Sequence, residues 1–144
     1  MAITLRLKGR RVDGLIAAAE RGDGMLGFLR SEGQRFANTV RWSVAGWRAC
    51  WASEKSLRQW TLVNMVSVVL ALLVPMTAGE RALILALGML VLAAELMNSA
   101  LEEAVDYISV ERHPRAKKAK DAGSAAVAMT ALAAGVAWVV VLVG

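Results

Sequence analysis

The sequence predicts an all-α integral membrane protein with three transmembrane helices and an N-terminal amphipathic surface helix. Of its 144 residues, 57% are hydrophobic, and the mean hydropathy of +0.49 is high for a soluble domain. The apolar residues gather in three long segments, whereas the charged residues gather before and between them. Soluble buried helices are the alternative for the first two segments. Three such segments in a chain this short leave too little polar surface to cover them, which favours the membrane.

The part of the chain before the first apolar segment divides into two regions. Residues 1–33 are rich in Gly and alternating charges, which predicts a flexible extension with a short helix near Leu15–Arg21. Residues 34–56 are predicted to form a basic amphipathic helix. Its apolar positions recur at spacings near three and four and are Phe36, Ala37, Val40, Val44, Trp47 and Trp51. Such a helix is expected to lie on the membrane surface. Packing against the protein's own helices is the other interpretation, and both can hold.

Three spans follow in residues 34–144, the predicted membrane domain. They cover about residues 60–77, 82–108 and 120–143. A helix needs about 20 residues to cross the hydrocarbon core. The third span is the clearest, because residues 122–144 contain no charge. The second is expected to continue beyond the membrane as a cytoplasmic extension.

The distribution of charge predicts the orientation of these spans. Residues 1–59 hold eleven of the seventeen Lys and Arg residues and five of the twelve acids, a balance of +6. The link between the second and third spans is also basic, whereas residues 78–81 are almost neutral. By the positive-inside rule, the N-terminus and the basic link face the cytoplasm, and the C-terminus faces the periplasm. There is no aromatic-interleaved basic patch, so the positive balance indicates an anionic membrane surface and not nucleic acid.

Five polar residues form a stripe at the end of the second apolar segment. Glu95, Asn98, Ser99, Glu102 and Asp106 fall within one narrow arc of a helix that turns 100° per residue. A charge inside the membrane costs roughly 2.5–3.5 kcal/mol on insertion scales, and such residues usually have a function. Since this span enters from the outer side, the stripe lies at the cytoplasmic interface. We therefore interpret it as a functional surface.

The residue types along the stripe suit phosphate chemistry with Mg²⁺, which takes a few carboxylates and bridges to phosphates. Glu54 approaches the same interface from its own helix, and Lys120 and Asp121 lie at the start of the third span. A carboxylate left off the metal is a candidate general base. No P-loop motif is present. An ion-coupled transporter and a regulatory membrane subunit are the alternatives. Coupling sites tend to lie near the midplane, however, and this stripe runs out towards the cytosol.

Several motifs together resemble the prokaryotic diacylglycerol kinase family. They are Glu95-Leu-Met-Asn-Ser-Ala-Leu-Glu102, Asp106, Glu111-Arg-His-Pro and Ala119-Lys-Asp-Ala-Gly-Ser-Ala-Ala126. The resemblance runs from about Gln34 to Gly144. It implies a homotrimeric kinase that phosphorylates 1,2-diacylglycerol with MgATP, giving phosphatidic acid at the cytoplasmic face of the bacterial inner membrane. A sister branch phosphorylates undecaprenol, but Gln59 and the segment Ala122-Gly-Ser-Ala-Ala favour the diacylglycerol branch.

The resemblance also implies a role for each matching residue. Glu95 is implied as the catalytic base, Asn98 as an orienting amide, and Glu54 with Glu102 as the Mg²⁺ ligands. The residues implied for ATP are Lys120, Asp121, Glu111, His113, Ser43, Asp106 and Arg35. Those implied for the lipid are Gln59, Glu95 and Ser99. Two positions depart from the family pattern, with Glu103 in place of alanine and Tyr107 in place of arginine; neither carries a primary role.

Overall fold

The computed structural model describes residues 24–108 and 111–144, and this part of the chain is helical with short connections. In sequence order, the helices are α1 (Gly24–Ser53), α2 (Lys55–Leu73), α3 (Ala78–Ile108) and α4 (Pro114–Val143). The last three are long and apolar enough to cross a membrane. The prediction of an all-α fold with three candidate spans and an N-terminal helix is thereby confirmed. The chain divides into two compact units at residues 46 and 47, so α1 belongs to both.

In the first unit, α1 begins at Gly24, whereas the sequence predicted a helix from residue 34. Each Gly costs a helix about 1 kcal/mol relative to Ala, which makes residues 24–33 read as irregular. The Arg35–Glu32 ion pair of 2.8 Å supports the helix here, because residues three apart are neighbours on a helix surface. Phe36 and Val40 on the predicted apolar stripe are exposed. The short helix predicted near Leu15–Arg21 lies outside the described residues.

The second unit opens with a sharp corner between α1 and α2. Glu54 leaves the helical conformation, with φ −94° and ψ 114°, and its N–H donates to the carbonyl of Cys50 at 2.7 Å. Arg58 Nη1 donates to the carbonyl oxygen of Trp51 at 2.6 Å. The last carbonyls of a helix have no partner within it and carry partial negative charge. The guanidinium therefore caps α1 and holds the corner at which Glu54 lies.

The turn between α2 and α3 is determined by two local signals. α2 ends at Leu73 because Pro75 disfavours helical geometry at the residue before it, and Val74 is extended. α3 begins with a capping box, in which Thr77 Oγ1 accepts from the N–H of Glu80 and Glu80 Oε2 accepts from the N–H of Thr77. α2 thus occupies residues 55–73, shifted towards the N-terminus from the predicted 60–77.

α3 is the central helix of the second unit and packs against both α2 and α4. Its buried positions recur at helical spacing and are Ile84, Gly88, Val91, Leu92, Glu95 and Ser99. Ala71 of α2, Ile84 of α3 and Ala137 of α4 form a small apolar core. α2 and α4 are joined by a hydrogen bond of 2.9 Å from Trp138 Nε1 to Ser67 Oγ. The first part of the polar stripe, Glu95 and Ser99, therefore lies on the face of α3 that the neighbouring helices cover, while its last member, Asp106, is exposed.

Candidate active site

Glu95 is a buried carboxylic acid on the central helix. Its exposed fraction is 3%, and that of Ser99, one turn later, is 4%. Both continue the row of buried apolar residues that includes Val91. Within the described part of the chain, the Glu95 carboxylate has no ion-pair partner. Burying a carboxyl group without a charged partner costs free energy. No ion pair in the described residues offsets this cost, which makes Glu95 a candidate for a chemical role.

The next turn carries a hydrogen-bonded pair, Asn98 and Glu102. Asn98 Nδ2 donates to Glu102 Oε1 at 2.9 Å, and both side chains are half-buried. The two residues are four apart and therefore lie on the same side of the helix. This bond orients the Glu102 carboxylate. Asn98 Oδ1 is buried and has no hydrogen-bond partner in the described residues.

A cleft of about 580 Å³ lies where the end of α3 meets the start of α4. Seven of its ten lining residues are polar or charged, and the full lining is Val105, Asp106, Glu111, Arg112, His113, Pro114, Ala116, Lys117, Lys120 and Asp121. Five of these were predicted as nucleotide-binding residues, namely Asp106, Glu111, His113, Lys120 and Asp121. The structure therefore brings together residues that are up to fifteen positions apart in sequence.

Ion pairs position the charged groups of this cleft. Lys120 Nζ contacts both carboxylate oxygens of Asp106, at 2.6 and 2.8 Å, and so joins α4 to α3. Lys117 pairs with Asp121 one turn further along α4. These groups are partly or largely exposed, so the pairs contribute little to stability. What these ion pairs do is fix positions: they hold the lysines and carboxylates at the mouth of one cavity.

The start of α4 is fixed by His113 and Pro114. His113 is the N-cap, and its Nδ1 accepts a hydrogen bond from the N–H of Arg115 at 3.2 Å. Pro114 follows at the first helical position, where a missing N–H costs nothing. Because Nδ1 is used in the cap, Nε2 is the nitrogen that remains for a molecule in the cleft. Helix N-termini also favour anions, which suits phosphate.

Two further predicted residues, Glu54 and Gln59, lie at the beginning of α2. Glu54 is half-buried, and its Oε1 accepts from Ser53 Oγ at 3.1 Å; Gln59 is exposed. Arg58, four residues after Glu54, donates to the carbonyl of Trp51. No ion pair engages Glu54 among the residues that the structure describes.

The carboxylates present are compatible with Mg²⁺. The described residues contain no group of three or more His, Cys, Asp or Glu side chains that would hold a metal ion unaided. Mg²⁺ typically uses one or two carboxylates and takes its other ligands from substrate phosphates and water. Glu102, oriented by Asn98, is a donor of the right chemistry, and Glu54 is a second. The residues present thus suit a metal that arrives with a nucleotide.

Arg35 and Ser43, the remaining predicted nucleotide residues, belong to the first unit. Arg35 pairs with Glu32, and Ser43 Oγ donates to the carbonyl of Thr39 at 2.9 Å. Both interactions lie within α1. The nucleotide roles of these two residues stay predictions.

The site residues predicted from the sequence did not include three residues that the structure connects to the site. Arg58 caps α1 beside Glu54, Lys117 holds Asp121, and Arg112 lines the cleft. The four-residue spacing of Lys117 and Asp121 was the available signal for an ion pair. Glu54 and Arg58 have the same four-residue spacing, but Arg58 donates to the carbonyl of Trp51 and forms no ion pair with Glu54.

Comparisons with known proteins give a consistent result. The sequence model of the family described as prokaryotic diacylglycerol kinase matches residues 41–142. The chain is 44% identical to the diacylglycerol kinase of Pseudomonas aeruginosa over 113 residues, which covers 77% of this chain and 90% of the relative. It is 36% identical to the diacylglycerol kinase of Escherichia coli K12 over 108 residues, covering 75% and 88%. For that of Haemophilus influenzae the identity is 33%, covering 70% and 86%.

Proposed function

The chain belongs to the prokaryotic diacylglycerol kinase family, and we propose that it transfers the γ-phosphoryl group of MgATP to 1,2-diacylglycerol, giving phosphatidic acid and ADP. One observation carries this proposal for the chain's own residues. A buried, unpaired carboxylate at Glu95 stands on the same helix that ends in the polar cleft containing Lys120 and Asp121. A lipid hydroxyl can approach Glu95 from the membrane, and a water-soluble nucleotide can enter the cleft from the aqueous side.

In the reaction, Glu95 accepts the proton of the lipid hydroxyl while the hydroxyl oxygen attacks the γ-phosphorus in line with the departing ADP. A general base must be within hydrogen-bond reach of the proton that it takes. Gln59 and Ser99 are proposed to position the lipid. Placement and charge stabilisation supply most of the acceleration in phosphoryl transfer. The role of α3 is therefore to hold Glu95 at a fixed depth relative to the phosphates.

The nucleotide is proposed to occupy the cleft between α3 and α4. Lys120 exchanges its contact with Asp106 for the phosphates, and Asp121, held by Lys117, stays beside it. Glu111, His113 and Asp106 then face the nucleoside part. The nucleotide roles of Arg35 and Ser43 stay as the resemblance implies them. Bound Mg²⁺ neutralises phosphate charge, and Glu54 and Glu102 are its proposed ligands.

We further propose that the protein works in the bacterial inner membrane as a homotrimer. The basic link between α3 and α4 carries Arg112, Arg115, Lys117 and Lys118, which favours the cytoplasm for that end of both helices. The N-terminus is then cytoplasmic and the C-terminus periplasmic. Surface attachment of α1 is consistent with exposed apolar side chains such as Phe36 and Trp42, which are 71% and 69% exposed.

The experiment is transfer of radiolabelled phosphate from ATP into lipid by the purified full-length chain in mixed micelles. Diacylglycerol and undecaprenol are supplied separately at matched mole fractions, with Mg²⁺ present or removed by chelation. We expect labelled phosphatidic acid, dependent on Mg²⁺, and a turnover with diacylglycerol well above that with undecaprenol. A preference for undecaprenol would overturn the acceptor assignment. Absence of transfer to either lipid would overturn the proposed activity.

A further inference from the structure

Gly123 of α4 makes a close contact with the amide of Asn98 on α3. A Cβ atom built at Gly123 would lie 2.3 Å from Asn98 Oδ1, a separation that real Cβ atoms do not adopt. Two other atoms would be near, Leu101 Cδ2 at 3.3 Å and Asn98 Cγ at 3.4 Å. The amide oxygen therefore occupies the volume that any side chain at position 123 would need.

The hydrogen bond to Glu102 determines which way the Asn98 amide faces, and the absence of a side chain at position 123 leaves room for that orientation. With Oδ1 directed at the α4 backbone, Nδ2 faces Glu102 and donates to its carboxylate at 2.9 Å. The reverse orientation would place two oxygens together, Asn98 Oδ1 and Glu102 Oε1. Asn98 Oδ1 has no hydrogen-bond partner in the described part of the chain, so close packing on Gly123 and any weak Cα–H···O interaction are what hold it there.

We propose that Gly123 is a positioning residue for catalysis, acting through Asn98 on the carboxylate of Glu102. The expected effect on kinetics rests on the proposed function, whereas the contact between Gly123 and Asn98 does not. Cα–H···O contacts have a normal C···O separation of about 3.3–3.6 Å, so a methyl group at 123 would displace the amide by roughly 1 Å. The hydrogen bond to Glu102 would be lost or misdirected, and the metal-binding carboxylate would lose its orientation.

The chain contains two matched controls for this position. Gly88 makes the same kind of contact with another amide, since a Cβ there would lie 2.2 Å from Asn64 Oδ1. Asn64 belongs to α2 and is not a member of the proposed site. Gly135 is on α4, as Gly123 is, but has no atom within 4 Å of a built Cβ. Gly88→Ala therefore introduces the same steric clash at an amide outside the proposed site. Gly135→Ala introduces the same methyl group on α4 where it meets no other atom.

The kinetic experiment compares Gly123→Ala, Gly88→Ala and Gly135→Ala in the lipid phosphorylation assay, with Mg²⁺ titrated. For Gly123→Ala we expect kcat to fall about 100-fold, as a misplacement of about 1 Å can produce, and the half-saturating Mg²⁺ concentration to rise. Gly88→Ala should lose stability without a change in Mg²⁺ half-saturation, and Gly135→Ala should match the unmodified protein. An unchanged Mg²⁺ requirement in Gly123→Ala would overturn the proposal.

A second measurement tests the contact without relying on kinase activity. Thermal unfolding in detergent is measured for Gly123→Ala, Asn98→Ala and the double variant. Because truncating Asn98 removes the amide that the methyl group would meet, Gly123→Ala should lower Tm markedly in the unmodified background and much less in the Asn98→Ala background. If Gly123→Ala alone does not fold, the double variant should. An equal loss in both backgrounds, or a double variant that also fails to fold, would overturn the proposal.

Discussion

Glu95 is a carboxylic acid that the packing of α3 removes from solvent. The sequence places a carboxylate immediately after a long apolar run, and the structure buries it to 3% exposure on the covered face of α3. Glu103, on the same helix, is exposed. Two acids on one helix thus have opposite environments. Glu95 is the candidate for chemistry, and Glu103 is an ordinary surface charge.

Replacing Glu95 by Gln keeps the shape of the side chain and removes its ability to accept a proton. We expect kcat for diacylglycerol phosphorylation to fall about 100-fold or more, because general-base catalysis typically contributes a factor of 10² to 10⁴. The KM for ATP should change little. Steady-state kinetics in mixed micelles measures both values. The matched variant Glu103→Gln should retain full turnover; equal losses in the two variants would argue against the base role of Glu95.

Lys120 is held in the cleft between α3 and α4 by contacts with both carboxylate oxygens of Asp106. It bridges to Asp106 across the two helices and is one-third exposed, whereas Lys118, two residues earlier, is exposed and does not line the cleft. This contrast makes Lys120, and not Lys118, the proposed ligand of the nucleotide phosphates.

For Lys120→Met we expect the KM for ATP to rise by about 10- to 100-fold, since a hydrogen bond to a charged group is worth about 1.5–3 kcal/mol. The KM for diacylglycerol should be unaffected. Initial rates over a range of ATP concentrations check this expectation, with Lys118→Met as the control that keeps a normal KM. If Lys118→Met raised the KM as much as Lys120→Met, a general electrostatic effect would explain the result better than a specific contact.

At the scale of helices, the ends are fixed by short local motifs. Pro75 stops α2, the Thr77–Glu80 capping box starts α3, and His113 with Pro114 starts α4. Each motif satisfies or removes backbone groups that would otherwise lack partners. The connections are therefore sharp, and the helices on either side of each connection enter the bundle in a defined register.

The capping box at the start of α3 should contribute measurably to stability. Thr77→Ala removes the side-chain acceptor for the N–H of Glu80, and loss of such a cap costs about 1 kcal/mol. Denaturant or thermal unfolding in detergent should show this loss, while kcat stays normal because Thr77 lies at the end of α3 away from Glu102. Thr39→Ala, in the middle of α1, is the control and should be neutral or slightly stabilising. A stability equal to the unmodified protein in Thr77→Ala would contradict the role of the cap.

The sequence predicts these elements well where the signal lies within one helix. The stripe from Glu95 to Asp106 follows from helical spacing alone, and the buried state of Glu95 and Ser99 agrees with it. Contacts between helices are different, because they depend on the register of one helix against another. The packing of Asn98 on Gly123 depends on the register of α3 against α4. The hydrogen bond from Arg58 to Trp51 ends on a backbone carbonyl, which residue types do not reveal. The start of α1 at Gly24 was obscured by glycines that weaken a helix without preventing it.

At the scale of the whole molecule, the polar residues of α2, α3 and α4 are distributed unevenly between the two ends of the spans. Glu102 and Lys120 lie towards the ends of α3 and α4 that the basic link joins, and Glu54 immediately precedes α2. The opposite ends carry the turn at residues 74–77, one acid and one base at Glu80 and Arg81, and the uncharged C-terminus. A reaction between a membrane lipid and a soluble nucleotide needs this asymmetry, because both substrates must meet at one surface. Three spans also require that the two ends of the membrane domain face opposite sides.

The single cysteine of the chain, Cys50, allows a direct test of this orientation. After Cys50→Ser, one new cysteine is introduced at Lys118, Gly79 or Gly144, and intact spheroplasts are treated with a membrane-impermeant thiol reagent. Cysteines at 79 and 144 should react in intact spheroplasts, since the proposed orientation puts both on the periplasmic side, whereas a cysteine at 118 should react only after lysis. Lysed samples of all three variants are the control for reactivity. Labelling of position 118 in intact spheroplasts would place the nucleotide cleft on the wrong side of the membrane for cytosolic ATP, and would therefore contradict the proposed reaction as well as the orientation.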